Sequence, residues 1–337
     1  MAKNLTINSV VTSGQMRMPI VGLGTWQATE KEIYETLTTA IASGYRHIDT
    51  AYMYENEKYI GQTLNKLFSE GKLKREDIFI VTKLPLIANR AEYVETFLKR
   101  SLESLQLDYV DLYLVHHPVG FKNHGPDNIF PKDENDKLDV DFETEHLTLW
   151  KAMEDQVDAG RAKSIGVSNF NISQMRRILE NCRIPIANTQ VELNIYLQQP
   201  DLVSFCKEND ITVCAYAPLG SPGYIKGLEK YGYSSEGAVE VSPLSEPIIV
   251  DIARKYNKLP AQVLLRYLIE YGVAVIPKST NPERIKQNID IFDFELTEDE
   301  FSKIRALDRG EKGRVFSSMG IFSVIRDHPE YPFPKDS

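Results

Sequence analysis

A chain of 337 residues is long enough for two average domains or for one large α/β barrel, so length alone leaves both open. Its 39 basic and 48 acidic residues leave a net charge of −9, which repels polyanions and speaks against nucleic acid or an acidic membrane surface as a partner. The three cysteines, Cys182, Cys206 and Cys214, are an odd number without metal-ligand spacing, so neither a disulfide framework nor a zinc site fits them. The opening MAKNLTINSV has no targeting pattern and no apolar run approaches membrane-spanning length. A cytoplasmic protein with reduced thiols is the expectation.

In chain order, a short polar hairpin-like start over residues 4–19 precedes eight apolar, strand-like runs. They are IVGLGT at 20–25, YRHIDT at 45–50, IFIVTKL at 78–84, VDLYLVH at 110–116, KSIGVS at 163–168, NTQVEL at 188–193, ITVCAY at 211–216 and VAVIP at 273–277. Nearly continuous apolarity marks strands covered on both faces. Helical spacing fills the intervals, as in Ile33, Leu37 and Ile41 before Gly44, and Trp150, Met153 and Val157 before Gly160. Eight strand–helix repeats without a linker-like break favour one closed (β/α)8 barrel, spanning 1–337 as a single domain, over an open doubly wound sheet. Three stretches are longer than ordinary loops: 118–141, 217–246 and the tail from 308 to 337. All are expected at the carboxyl face of the barrel, where barrel enzymes keep their active sites.

A polar or aromatic residue ends every one of these strands: Trp26, Asp49, Lys83, His116, Ser168, Gln190, Tyr216 and Lys278. Asp49 and Lys83 end neighbouring parallel strands, where a buried ion pair is geometrically reasonable. Tyr54 lies in the loop just past Asp49, and a nearby ammonium would lower its phenol toward working pH, making it a candidate general acid. His116 and His117 invite a metal reading, but consecutive strand residues face opposite ways, and one inward imidazole orienting a carbonyl oxygen fits better. Near the last strand, Asn281 can cap a helix that begins at Pro282, gathering Lys278, Ser279 and Arg284 around a helix N-terminus suited to an anion. No GxGxxG follows a strand, which argues against a Rossmann domain.

These residues resemble the aldo-keto reductase family across nearly the whole chain. GYRHIDTAYMYENE at 44–57 is similar to the family signature that carries a catalytic Asp and Tyr, here Asp49 and Tyr54; IVTKL supplies Lys83 and DLYLVHHP supplies His116. The resemblance implies that Tyr54 protonates a carbonyl oxygen as hydride from NADPH reaches the carbon. It also implies that Ser168 and Asn169 of GVSNFN, with Gln190, hold the nicotinamide carboxamide, and that Tyr216 stacks on the ring. VIPKSTNPERIKQN at 275–288 resembles the segment that takes the adenosine 2′-phosphate, with Lys278, Ser279, Thr280 and Arg284 on the phosphate and Gln287 and Asn288 toward the adenine. Gln287 stands where the family often has Glu. Thr25, Leu219 and Ser221 complete the implied cofactor contacts.

For the substrate, the expected lining is Trp26, Met53, His117, Phe130, Phe316, Met319 and Phe322, mostly apolar and polarizable. His117 departs from the tryptophan many family members carry there. Bulky apolar aldehydes or ketones are favoured over free sugars, and the DHPEYPF tail and the long second loop are similar to those of arthropod members reducing ecdysteroid or terpenoid carbonyls. The expectation is therefore an NADPH-dependent carbonyl reductase, monomeric and without a metal. The alternative is an NADPH-binding regulatory barrel with little turnover.

Overall fold

The structure, a computed structural model, describes residues 4–224, 242–316 and 324–334. Eight parallel strands form one sheet: Leu23–Gly24, His47–Asp49, Phe79–Leu84, Val110–Val115, Ala162–Ser168, Asn188–Glu192, Thr212–Tyr216 and Ala274–Val275. Bridges from Val21 to Val275 and from Gly24 to Lys278 join the first strand to the last and close the sheet into the (β/α)8 barrel. The seam is tight at Gly24, where a Cβ would come within 2.8 Å of the Ile276 carbonyl oxygen. Glycine is the residue that allows this approach.

Each strand matches one of the expected runs but is often shorter, because the runs include apolar residues that pack beyond the ladder. The strand Phe79–Leu84 is buried throughout, as expected where helices cover the outside and side chains fill the inside. The helix Ala91–Leu105 presses Val94, Phe97, Leu98, Leu102 and Leu105 onto the sheet, a spacing of three and four that gives a continuous apolar stripe. Glu30–Ala42 does the same with Ile33, Leu37 and Ile41.

The foot of the barrel is covered by the antiparallel hairpin Val10–Ser13 and Met16–Pro19. The long stretch after the fourth strand forms its own two-stranded ladder, Gly120–Phe121 against Val140–Asp141. Most of the stretch after the seventh strand lies outside the described residues, and so do Met319 and Phe322 of the tail. The rest of the tail is held down. Glu330 pairs with Arg177 at 2.9 Å and accepts from the Gln174 amide at 2.9 Å, while Ile325 and Tyr331 are buried. No described helix is long and apolar enough to cross a membrane.

Candidate active site

Strand ends place the first three charged or polar groups. Asp49 is the last residue of the second strand and Lys83 the fifth residue of the third, and adjacent parallel strands bring both side chains into the barrel. Lys83 Nζ donates to Asp49 Oδ1 at 2.6 Å and to the Thr50 carbonyl at 2.9 Å, and it lies 3.4 Å from the Tyr54 hydroxyl. Asp49 and Lys83 are almost wholly buried, so each charge depends on the other. Tyr54 closes a short helical turn, Tyr52–Tyr54, which the left-handed Glu55 terminates. Its ring meets the His116 imidazole edge to face at 5.8 Å between centroids. The four groups the sequence singled out thus meet at one point of the barrel mouth.

Below them, Thr25 donates to the Asp49 carbonyl at 2.9 Å, and Asn56 bridges the Thr25 carbonyl at 2.8 Å and the Thr50 hydroxyl at 2.9 Å. The Tyr54 loop is fastened at its base by this network. Thr25 was expected among the cofactor contacts, and its hydroxyl is turned to the protein backbone.

The electrostatics correct one expectation. Burial pushes the Tyr54 phenol above its ordinary range; Lys83 pulls it back down, but Asp49 reinforces the rise. The Lys83 ammonium lowers the phenol as the sequence suggests, but desolvation is the larger effect. Tyr54 is therefore held as the neutral phenol, with its proton still in place. Burial also opposes the Lys83 ammonium, but the Asp49 carboxylate and the Tyr54 hydroxyl outweigh it and hold the lysine charged. His116 is held neutral by burial and by Lys83, and its Nδ1 is buried without a hydrogen-bond partner among the described residues.

The next residues form a patch beside this centre. Gln190 donates its amide nitrogen to Asp49 Oδ2 at 2.6 Å, which leaves its oxygen to accept. Ser168 donates to the Gln190 carbonyl at 2.9 Å, and Asn169, held in a left-handed conformation, donates to the His116 carbonyl at 3.0 Å. The Tyr216 hydroxyl donates to Asn169 Oδ1 at 2.8 Å, so the aromatic ring and the amide group are tied together. An aromatic face flanked by amide and hydroxyl groups suits a nicotinamide carboxamide.

Across the seam, Asn281 caps the helix Pro282–Ile289 by accepting from the Arg284 amide at 3.0 Å, with proline in the first turn as the sequence indicated. Lys278 and Arg284 are exposed at this helix start, whereas Ser279 is buried and donates within the turn. Thr280 donates to Glu32 at 3.1 Å. Gln287 is partly exposed and Asn288 buried on the helix, and Leu219 and Ser221 follow the seventh strand, both partly exposed. The residue types suit a phosphate: Lys278 precedes and Arg284 lies in the first turn of a capped helix, whose start favours an anion.

The expected substrate residues divide. Phe316 is buried against Trp26, Tyr216 and Tyr224, with centroid separations of 6.2, 5.5 and 4.2 Å. Met53 is partly exposed beside Tyr54. His117 is only 2% exposed, packed near Phe333 of the tail and accepting from the Val119 amide; burial lowers its pKa to about 3. Phe130 stands exposed on the long loop, and no ring contact joins it to Trp26 or Phe316 among the described residues. Glu192, not among the residues singled out from the sequence, lies two residues past Gln190 and therefore on the same face of the sixth strand. That period-two step was the available signal. No group of three or more His, Cys, Asp or Glu among the described residues could hold a metal ion.

A model of the aldo/keto reductase family matches residues 20–309. The chain is 40% identical over 339 residues to aldo-keto reductase family 1 member A1-A of Danio rerio, covering 98% of this chain and 99% of that one. It is 41% identical to prostaglandin F synthase 2 of Bos taurus, covering 95% of each. The solved structure of the aldose reductase from Schistosoma japonicum superposes with a TM-score of 0.86 at 38% identity, over 97% of this chain and 99% of that one. The chain belongs to the aldo-keto reductase family and is an NADP-dependent oxidoreductase acting on carbonyl groups.

Proposed function

We propose that this protein reduces bulky apolar aldehydes or ketones to alcohols, with Asp49, Tyr54, Lys83 and His116 as its catalytic residues. The observation that carries the reading is the Lys83 ammonium lying between Asp49 at 2.6 Å and the Tyr54 hydroxyl at 3.4 Å. NADPH supplies the hydride when bound. As the carbonyl carbon accepts it, negative charge grows on the oxygen, and Tyr54 passes its proton there. The phenolate left behind faces Lys83, whose charge Asp49 sustains. Neutral His116 can donate a hydrogen bond to the same oxygen without competing as an acid.

Ser168, Asn169 and Gln190 hold the carboxamide in this reading, Tyr216 supports the ring, and Lys278 and Arg284 take the 2′-phosphate, with Thr25, Leu219, Ser221, Ser279, Thr280, Gln287 and Asn288 around them. The apolar ring group of Trp26, Phe316 and Tyr224 supports a preference for large apolar carbonyls, including steroid-like or terpenoid ones. The net charge of −9 supports a protein that keeps clear of nucleic acid, and we place it in the cytoplasm as a monomeric single-domain barrel.

The test is a panel of aromatic, steroid-like, terpenoid and sugar carbonyls with purified protein and NADPH, ranked by kcat/KM. Large apolar carbonyls should lead. Tight NADPH binding with no turnover on any of them would replace this reading with that of a cofactor-binding regulatory barrel.

A further inference from the structure

Glu192 ends the sixth strand inside the barrel mouth and is fully buried. Its two carboxylate oxygens accept from two consecutive backbone amides of the tail, Val315 at 2.8 Å and Phe316 at 2.9 Å. A buried carboxylate is costly unless its oxygens are satisfied, and here the tail backbone satisfies it. The same segment has a second fixing point. The Arg309 amide donates to the Tyr196 carbonyl at 2.8 Å, and Gly313 lies so close to that carbonyl that a Cβ would run into it. Between these points Arg314 is gripped by Glu311 at 2.6 and 2.8 Å and lies over the Phe333 ring at 4.3 Å. The residue so fixed, Phe316, is the ring that touches Trp26, Tyr216 and Tyr224.

We propose that Glu192 is a positioning residue for substrate selection: by holding the Val315 and Phe316 amides it sets the Phe316 ring as a wall of the substrate entrance. It touches no reacting atom and acts through Phe316. This rests on the carbonyl-reductase reading of the site given above. Burial pushes the Glu192 carboxyl up to about 7, against the pull of Arg314 and the two amides and with the help of Glu311; the Tyr216 phenol also faces it. Below that pH one oxygen carries a proton and becomes a poorer acceptor, so the hold on the tail weakens as pH falls.

The experiment compares Glu192→Gln with Phe316→Ala and the double variant. Glu192→Gln puts an NH2 group against a backbone N–H. The Val315 and Phe316 amides should then exchange with deuterium about tenfold faster or more, one lost charge-assisted hydrogen bond's worth. KM for a large apolar ketone should rise about tenfold, while kcat/KM for a minimal aldehyde and the NADPH Kd should move less than about twofold. Phe316→Ala should shift the same large-to-small ratio, and the double variant no further. In the wild type, KM for the large substrate should rise as pH falls through about 7, and Glu192→Gln should abolish that dependence.

An unchanged large-to-small ratio in Glu192→Gln, additive effects in the double variant, or a pH dependence that survives the substitution would each overturn the proposal. If the wild type reduced no carbonyl at all, the reading of the site's function would fall instead, and the amide exchange would still decide whether Glu192 holds the tail. Should Glu192→Gln not fold, Glu192→Asp, which keeps an ionisable carboxylate on a shorter arm, is judged by the amide exchange and the large-to-small ratio: faster exchange with a shifted ratio supports the proposal, and neither change overturns it.

Discussion

Tyr54→Phe separates catalysis from architecture, because the structure makes the two costs very different. The hydroxyl's hydrogen bond is the 3.4 Å contact from Lys83, at the long end of the range for such bonds. Losing it should cost at most about 1 kcal/mol of stability. Lys83 keeps the Asp49 carboxylate and the Thr50 carbonyl, so no buried charge is left unpaired. A general acid that protonates the developing oxyanion contributes about 10²–10⁴-fold to the rate. That is roughly 2.7–5.4 kcal/mol of barrier, several times the structural term. Thermal unfolding should then shift by only about 4 °C or less. NADPH titration by fluorescence should give nearly the wild-type Kd, and kcat on a good carbonyl should fall at least about a hundredfold. A folded, NADPH-binding variant whose kcat stayed within about tenfold of wild type would refute the assignment of the proton to Tyr54.

Lys83→Met removes one partner of a buried pair and leaves Asp49 with the Gln190 amide as its side-chain donor, so unfolding free energy in urea should drop by about 3–5 kcal/mol. A loss under about 1 kcal/mol would mean that the pair does not hold the site together. Lys278→Ala and Arg284→Ala should each weaken NADPH binding by about 1.5–3 kcal/mol and leave NADH binding nearly unchanged; equal weakening of both cofactors, read from Kd, would contradict a 2′-phosphate role. Glu57, accepting from Thr82, is pushed by burial to about 7 from an ordinary 4.5, so its stabilising contribution is present below 4.5 and lost as pH rises through about 7. Glu57→Gln cannot ionise, so its Tm relative to wild type should rise from pH 5 to pH 8; the opposite slope would show that the charge is not the cost.

The barrel was legible because parallel strands buried on both faces leave an unmistakable mark, eight apolar runs ending in polar residues. Asp49, Lys83 and His116 stood out as groups too costly to bury without purpose, and Tyr54 through its place beside Asp49. Distances across the barrel were not legible. Nothing in the chain order joins Gln190 to Asp49, 141 residues away, and the family resemblance points Gln190 only at the carboxamide. The sign of the Tyr54 shift was missed for a related reason, since desolvation depends on everything packed around the ring. The aromatics of the tail were visible, but not what fastens them. Because Ile325 and Tyr331 belong to the core, removing residues 315–337 would damage the barrel as well as the entrance, and Phe316→Ala is the cleaner probe.

Closure at the seam also bears on how the chain survives its own synthesis. Until the segment around Val275–Lys278 emerges and docks on Val21–Gly24, the growing parallel sheet has two open edges with unpaired backbone groups, each able to recruit a strand from another molecule. Contacts this distant in sequence form slowly. The docking that builds the corner proposed to hold the cofactor phosphate is thus also the event that removes the sheet's last edges, so a variant that weakens the seam, such as one with a side chain at Gly24, should aggregate during expression before any loss of cofactor affinity could be measured.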